Sequence, residues 1–276
     1  MARRTGVRPA GQAVYTDVQG LRTHARVYGR EHGVAIVIVP GLGCASWMYF
    51  RLARLLAQRF TVWLYDPPGQ GLSQGHRKDP VSVDRMTDHL ALWLEARQIR
   101  RPVLLGHSLG GEVVIQLAVR YPQLTGTLIA VAPTGIPGNP NLLEQVWRLV
   151  RDVPGERVGF WPLCLSAYFR TGVGRFYRLA RSIEYQSTVP FLALVRCPVL
   201  LLGGSCDPVV SSSALNRLSS QWPHVQVIEL AGAPHAMTDA STQELTEQVQ
   251  RWIEALDGTG ELRDTGRQDR RGFTRP

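Results

Sequence analysis

The sequence predicts an α/β fold: a mostly parallel eight-stranded sheet flanked by helices, with a helical cap inserted between two strands. Three observations carry this. Short apolar runs alternate with amphipathic, helix-period segments along most of the chain, the pattern of a parallel sheet covered on both faces. Several of those runs, such as "VAIVIV" at 34–39 and "PVLLL" at 198–202, are continuously apolar, as strands buried on both sides must be. From about Thr134 to Leu194 the alternation stops, and Pro137, Pro140, Pro154 and Pro162 punctuate helical, aromatic-rich stretches with no strong strand.

Taken in order, "AVYTDVQG" and "LRTHARVYG" read as a hairpin turning near Gly20, and "VAIVIVPG" as a buried strand. "WMYFRLARLLAQ" has helical spacing, followed by the strand "FTVWLYD" and the glycine-rich turn "PPGQGLSQG". A helix from Val83 to Arg97 leads to the strand "RPVLLGH", the helix "LGGEVVIQLAVRY" and the strand "GTLIAVAP". After the insertion, "CPVLLLGG" and "VQVIEL" restore strands, and Ser241 to Leu256 closes the fold as an amphipathic helix. The expected organisation is a flexible N-terminus over 1–12, a core over 13–133 and 195–256, a cap over 134–194, and a disordered, charge-rich tail over 257–276.

Composition narrows the function. No apolar run approaches the roughly 20 residues that span a bilayer, so no integral membrane association is expected. Arg3 and Arg4 lack the apolar stretch that would make them an export signal, which points to the cytoplasm. Cys44, Cys164, Cys197 and Cys206 lack metal-ligand spacing, and Cys206 reads as a small buried hydrophobe. The net charge of +9 raises nucleic acid as a partner, but the arginines are spread along the chain, Lys78 is the sole lysine, and no basic stripe alternates with stacking aromatics. No nucleic acid, metal or organic cofactor is expected; the partner is a small-molecule substrate.

The chemistry centres on "LLGHSLGGEVV" at 104–114, where a buried strand meets a helix and Gly106 and Gly110 stand two residues either side of Ser108. A sharp, strained turn there leaves no room for a Cβ two positions away, the setting of a nucleophile elbow. A serine hydroxyl is inert at neutral pH without a base, so the hypothesis demands a histidine and a carboxylate at other strand ends. "LLLGGSCDPVV" puts Asp207 just past one strand, and "IELAGAPHAMTDA" puts His235 after the next. Asp207 can alternatively cap the turn before Pro208. His107 is a rival base, but as Ser108's neighbour it points away from the hydroxyl. Asp66 reads as a hydrogen-bonded structural carboxylate.

In these segments the chain resembles the α/β-hydrolase family, over about residues 13–256. The order Ser108, Asp207, His235 matches that family's nucleophile, acid and base. "VPGLGCASWMY" is similar to its oxyanion loop, and "DPPGQGLSQG" to its Asp-x-x-Gly-x-Gly-x-Ser turn. The resemblance implies an oxyanion hole from the backbone N–H groups of Leu42 and Leu109. Pro40-Gly41 stands where many relatives have His-Gly, and the multi-glycine loop of many lipases is missing. The expected activity is cleavage of a small carboxylic ester or thioester through an acyl-enzyme. Carbon–carbon bond hydrolysis, perhydrolysis and a slow-turnover ligand receptor use the same motifs and stay open. Trp47, Met48, Trp147 and Trp161 are candidate pocket residues, suited to an apolar acyl or alkyl group.

Overall fold

The computed structural model describes residues 11–29, 33–75, 82–136, 144, 161–184 and 188–259. Eight strands form one sheet in the order β1-β2-β4-β3-β5-β6-β7-β8. β1 (Gln12–Val18) and β2 (Leu21–Tyr28) form the expected hairpin, which turns through Gln19 and Gly20, both at positive φ. β2 pairs antiparallel with β4 (Thr61–Tyr65), and every later pairing is parallel: β3 (Ala35–Val39), β5 (Val103–His107), β6 (Thr127–Val131), β7 (Val199–Gly204) and β8 (Val225–Leu230). β4, β5, β6 and β7 are buried along their whole length, which is why their sequences show no polar alternation.

Helices cover both faces. After a 3-10 turn at Ser46–Tyr49 come α1 (Phe50–Leu56), α2 (Val83–Ala96) and α3 (Leu109–Arg120). Ser82 caps α2 by accepting a hydrogen bond from the Arg85 N–H. Between β6 and β7 the described residues form α4 (Trp161–Thr171), α5 (Val173–Glu184) and the short α6 (Val189–Leu192), with no strand among them. α7 (Ser212–Ser219), α8 (Met237–Ala240) and α9 (Thr242–Thr259) complete the chain.

Three details differ from expectation. β1 begins at Gln12, inside the stretch read as flexible, because pairing with Val27 extends the hairpin to its end. α9 continues to Thr259 instead of stopping at Leu256: once Ile253 and Leu256 anchor the helix in the core, each further residue adds a backbone hydrogen bond without a new nucleation cost. Cys206 is exposed, because it lies in the turn after β7 and not in the strand. The remainder of both expected terminal segments and much of the expected cap lie outside the described residues.

Candidate active site

The parallel strands all deliver their carboxyl ends to one edge, and the predicted residues lie in the loops that follow β3, β5, β7 and β8. Ser108 is the single residue between β5 and α3, at φ 53° and ψ −119°, a backbone conformation that a side chain rarely tolerates. Its N–H donates to Val131 O at 2.9 Å, and its carbonyl accepts from Gly111 N–H at 2.8 Å and Thr134 N–H at 3.3 Å, which hold the strain in place. The flanking glycines have a reason that local sequence does not display. A Cβ on Gly106 would lie 2.2 Å from Gly110 O, and one on Gly110 would lie 2.2 Å from Val39 O in β3. They are needed because the helix start passes directly over two strands, more than because of crowding at Ser108 itself.

Asp207 and His235 come together, with His235 Nδ1 2.9 Å from Asp207 Oδ2 and the aspartate side chain fully buried. The other oxygen, Oδ1, accepts from the N–H groups of Val209 at 2.7 Å and Val210 at 3.0 Å. Turn-capping and histidine-orienting were alternatives in the sequence; the carboxylate does both, one oxygen each. Burial pushes the Asp207 carboxyl up, but the neighbouring His235 charge, its hydrogen bond and the two N–H groups outweigh this and hold it below the ordinary carboxylate value.

His107 is engaged through both ring nitrogens. Its Nε2 lies 3.1 Å from the His235 carbonyl, which can only accept, so Nε2 carries the proton. Nδ1 then accepts from the Tyr49 hydroxyl at 2.9 Å, and that oxygen accepts from the Gly41 N–H at 2.9 Å. Burial, reinforced by the nearby His235, pushes the His107 pKa down to about 3, so the ring stays neutral and keeps this polarity. The result is a buried relay from the loop after β3, through the residue before Ser108, to the loop carrying His235. Tyr49 reads in the sequence as a pocket-floor or core residue at the start of a helix, since nothing local announces a hydrogen bond made 58 residues away.

Leu109 is buried at the first position of α3, and Leu42 is half-buried in the loop after β3. Neither backbone N–H has an acceptor among the described residues. Gly41 packs against the elbow, a Cβ there falling 3.3 Å from Ser108 Cβ. Asp66 is fully buried and engages three other residues: it accepts from Ser46 N–H at 2.6 Å, Ser46 Oγ at 3.2 Å and Leu72 N–H at 3.0 Å, and pairs with His24 Nδ1 at 2.7 Å. It is structural, as its sequence context predicts.

Of the candidate pocket residues, Met48 is 4% exposed and belongs to the hydrophobic core. Trp47 is half-buried; its Nε1 donates to Leu163 O at 3.2 Å, joining α4 to the loop after β3. Trp161 opens α4, but its side chain, like all of Trp147, lies outside the described residues. α4 and α5 rest on the residue after Leu42: a Cβ on Gly43 would meet Tyr168 at 2.8 Å and Phe176 at 3.0 Å, and Thr171 Oγ1 donates to Gly43 O at 3.3 Å. Among the described residues no three His, Cys, Asp or Glu side chains gather to hold a metal ion, and no helix is long and apolar enough to cross a membrane.

The fold has known counterparts. The model of the alpha/beta hydrolase family matches residues 36–248, well over half of the chain. The chain belongs to the alpha/beta hydrolase family. Among solved structures of that fold, the enol-lactonase from Burkholderia xenovorans superposes with a TM-score of 0.77 at 19% identity, covering 87% of this chain and 100% of that one. An uncharacterised protein of Mycobacterium tuberculosis is 34% identical over 153 residues, 55% of this chain but only 44% of that relative, so the match spans less than half of its length. Full-length likeness is found to the pimeloyl-[acyl-carrier protein] methyl ester esterase of Xanthomonas axonopodis, 25% identical over 262 residues and covering 84% of this chain and 99% of that one. A putative carbamate hydrolase of Serratia proteamaculans is 25% identical over 254 residues, covering 82% and 94%. Several proteins similar to this α/β-hydrolase carry esterase and hydrolase names.

Proposed function

We propose that this α/β-hydrolase cleaves a small carboxylic ester or thioester through an acyl-enzyme, with Ser108 as nucleophile, His235 as base and Asp207 as the orienting acid. The observation that carries the reading is the 2.9 Å contact between His235 Nδ1 and Asp207 Oδ2, combined with a serine in strained conformation at the strand–helix junction. Relatives named as a methyl ester esterase and an enol-lactonase favour an ester among the acyl-transfer substrates.

Asp207 accepts from Nδ1–H and so leaves the lone pair of His235 on Nε2, the nitrogen that takes the Ser108 proton as Oγ attacks the carbonyl. The developing oxyanion is received by the N–H groups of Leu42 and Leu109. Losing one such donor typically lowers the rate by ~10²–10³-fold, because the charge develops where no water can replace the bond. Collapse expels the alcohol or thiol, which receives the proton from His235, and water then repeats the sequence on the acyl-enzyme. The insertion acts as a cap: α4 and α5 sit on Gly43, beside Leu42, so the acyl or alkyl group of the substrate is received between cap and core.

A fluorophosphonate probe tests the nucleophile. It labels the wild-type protein and leaves Ser108→Ala unlabelled; equal labelling of both defeats the assignment. An ester series of increasing acyl length at constant leaving group then tests the cap. With kcat/KM rising to about butyryl or hexanoyl and falling beyond, the cap closes the pocket, each methylene contributing up to about 0.8 kcal/mol until it is full. A steady rise to palmitoyl esters would refute that closure.

A further inference from the structure

A cleft of about 1010 Å³ opens between the glycine-rich turn after β4 and the α4–α5 junction. Neither Ser108, Asp207 nor His235 lines it. Its walls carry four arginines from three separate elements: Arg22 from β2, Arg170 from α4, and Arg175 and Arg178 from α5. No Asp or Glu is among the described residues that line it.

Three of these arginines, Arg22, Arg170 and Arg175, are held in place by their surroundings. Arg175 is only 9% exposed, and its Nη1 donates to Pro68 O at 3.2 Å. Its guanidinium lies on the turn itself: a Cβ at Gly69 would fall 2.3 Å from its Cζ, and one at Gly75 2.8 Å from its Nη2. Two glycines of the "GQGLSQG" turn therefore make room for a charged group, a role beyond chain reversal. The Arg22 guanidinium stacks on the Tyr15 ring at 3.9 Å, and that of Arg170 lies 5.9 Å from the Trp47 ring centroid. Stacked or packed guanidinium planes lose little entropy on engaging an anion. A single carboxylate occupies one planar fork, whereas a phosphate group has oxygens enough, and up to two charges, to engage several forks at once.

The place of the cleft relates it to the ester chemistry. α4 and the start of α5 touch Gly43 through Tyr168, Thr171 and Phe176, and line the cleft through Phe169, Arg170, Thr171 and Arg175. Thr171 belongs to both sets, so the α4–α5 junction alone separates the cleft from the loop that holds Leu42. We infer that this cleft binds a phosphate mono- or diester, and that the substrate carries that group on a spacer reaching past the α4–α5 junction to the ester or thioester. The spacer and the substrate role rest on the function proposed above; the phosphate site does not.

The binding test uses the full-length Ser108→Ala protein, so that no turnover intervenes, with pyrophosphate and inorganic phosphate titrated by calorimetry at low salt. The site predicts saturable binding of both, weakened roughly tenfold or more by Arg170→Gln with Arg178→Gln, the loss of charge-assisted hydrogen bonds from two guanidiniums. An unchanged melting temperature verifies that the double variant is folded. Phosphatidylglycerol vesicles with phosphatidylcholine controls distinguish a lipid headgroup from a soluble phosphate: arginine-dependent binding to the vesicles, with none of pyrophosphate, assigns the group to lipid. Absence of binding in every arm, or binding equal in the double variant, overturns the site. The catalytic arm compares, on protein with Ser108 intact, an ester ending in phosphate with the same ester ending in hydroxyl. The expected kcat/KM ratio is tenfold or greater and collapses towards one in the double variant. Arginine-dependent phosphate binding without hydrolysis of either ester keeps the site and removes the ester reading. Hydrolysis of both esters at equal kcat/KM removes the substrate role.

Discussion

Glu112 in α3 has a fully buried carboxyl four residues after Ser108, and replacing it by glutamine should stabilise the protein in a strictly pH-dependent way. Thr134 Oγ1 donates to its Oε2 at 2.8 Å, while Oε1 is buried with no hydrogen-bond partner among the described residues. Burial pushes its pKa from the ordinary 4.5 to about 8, the Thr134 hydrogen bond opposing only part of this. In the unfolded chain the carboxyl loses its proton near 4.5; in the folded chain it keeps it to about 8. The folded state then binds more protons across that window, so stability is fully present below pH 4.5, falls as pH rises, and levels off above 8. At ~1.36 kcal/mol per pH unit the loss is on the order of 4–5 kcal/mol. A glutamine side chain at this position would match the neutral acid in shape and avoid the loss. Melting of wild type and Glu112→Gln followed by circular dichroism at pH 5 and pH 8 isolates the effect, because every other titrating group is shared by the two proteins. Near-equal melting temperatures are expected at pH 5, and a variant more stable by on the order of 10 °C at pH 8, at about 2–4 °C per kcal/mol for a domain of this size. A gap independent of pH would refute the reasoning.

Ser108→Ala should lower hydrolysis roughly 10⁶-fold in a folded protein, since it removes the attacking atom; residual esterase activity within about 100-fold of wild type would point to another nucleophile. Asp207→Asn should lower kcat by about 10⁴, measured on a short-chain ester, because His235 loses its orienting anion. It should also lower the melting temperature far less than deletion of the turn contacts would, since an amide oxygen can still accept from Val209 and Val210. Tyr49→Phe should leave the buried Gly41 N–H and His107 Nδ1 unpaired, at about 1–3 kcal/mol each. Its signature is a melting temperature lower by several degrees with a fall in kcat larger than any change in KM, and wild-type values for both would dismiss the relay.

The strand–helix order, the positions of Ser108, Asp207 and His235 at strand ends, and the structural role of Asp66 were legible because each depends on a local signal. Continuous apolar runs mark strands buried on both faces, and glycines at fixed offsets mark sharp turns. These signals are properties of a few consecutive residues, so the linear chain carries them in full. The short α7 and α8 escaped notice because their eight and four residues span too few turns for helical periodicity to stand out. What the tertiary structure alone decided is which polar atoms meet. Single hydrogen bonds of the Gly41–Tyr49–His107–His235 relay join residues up to 128 apart, and the arginine cleft assembles β2, a turn and two inserted helices. Glu112 likewise reads locally as a helix former, and only the closure of the surrounding core converts it into a buried acid. Hydrogen bonds and pKa values depend on distance and dielectric, which are set by packing between segments remote in sequence. The chain specifies that packing as a whole, but no local window of it displays the outcome.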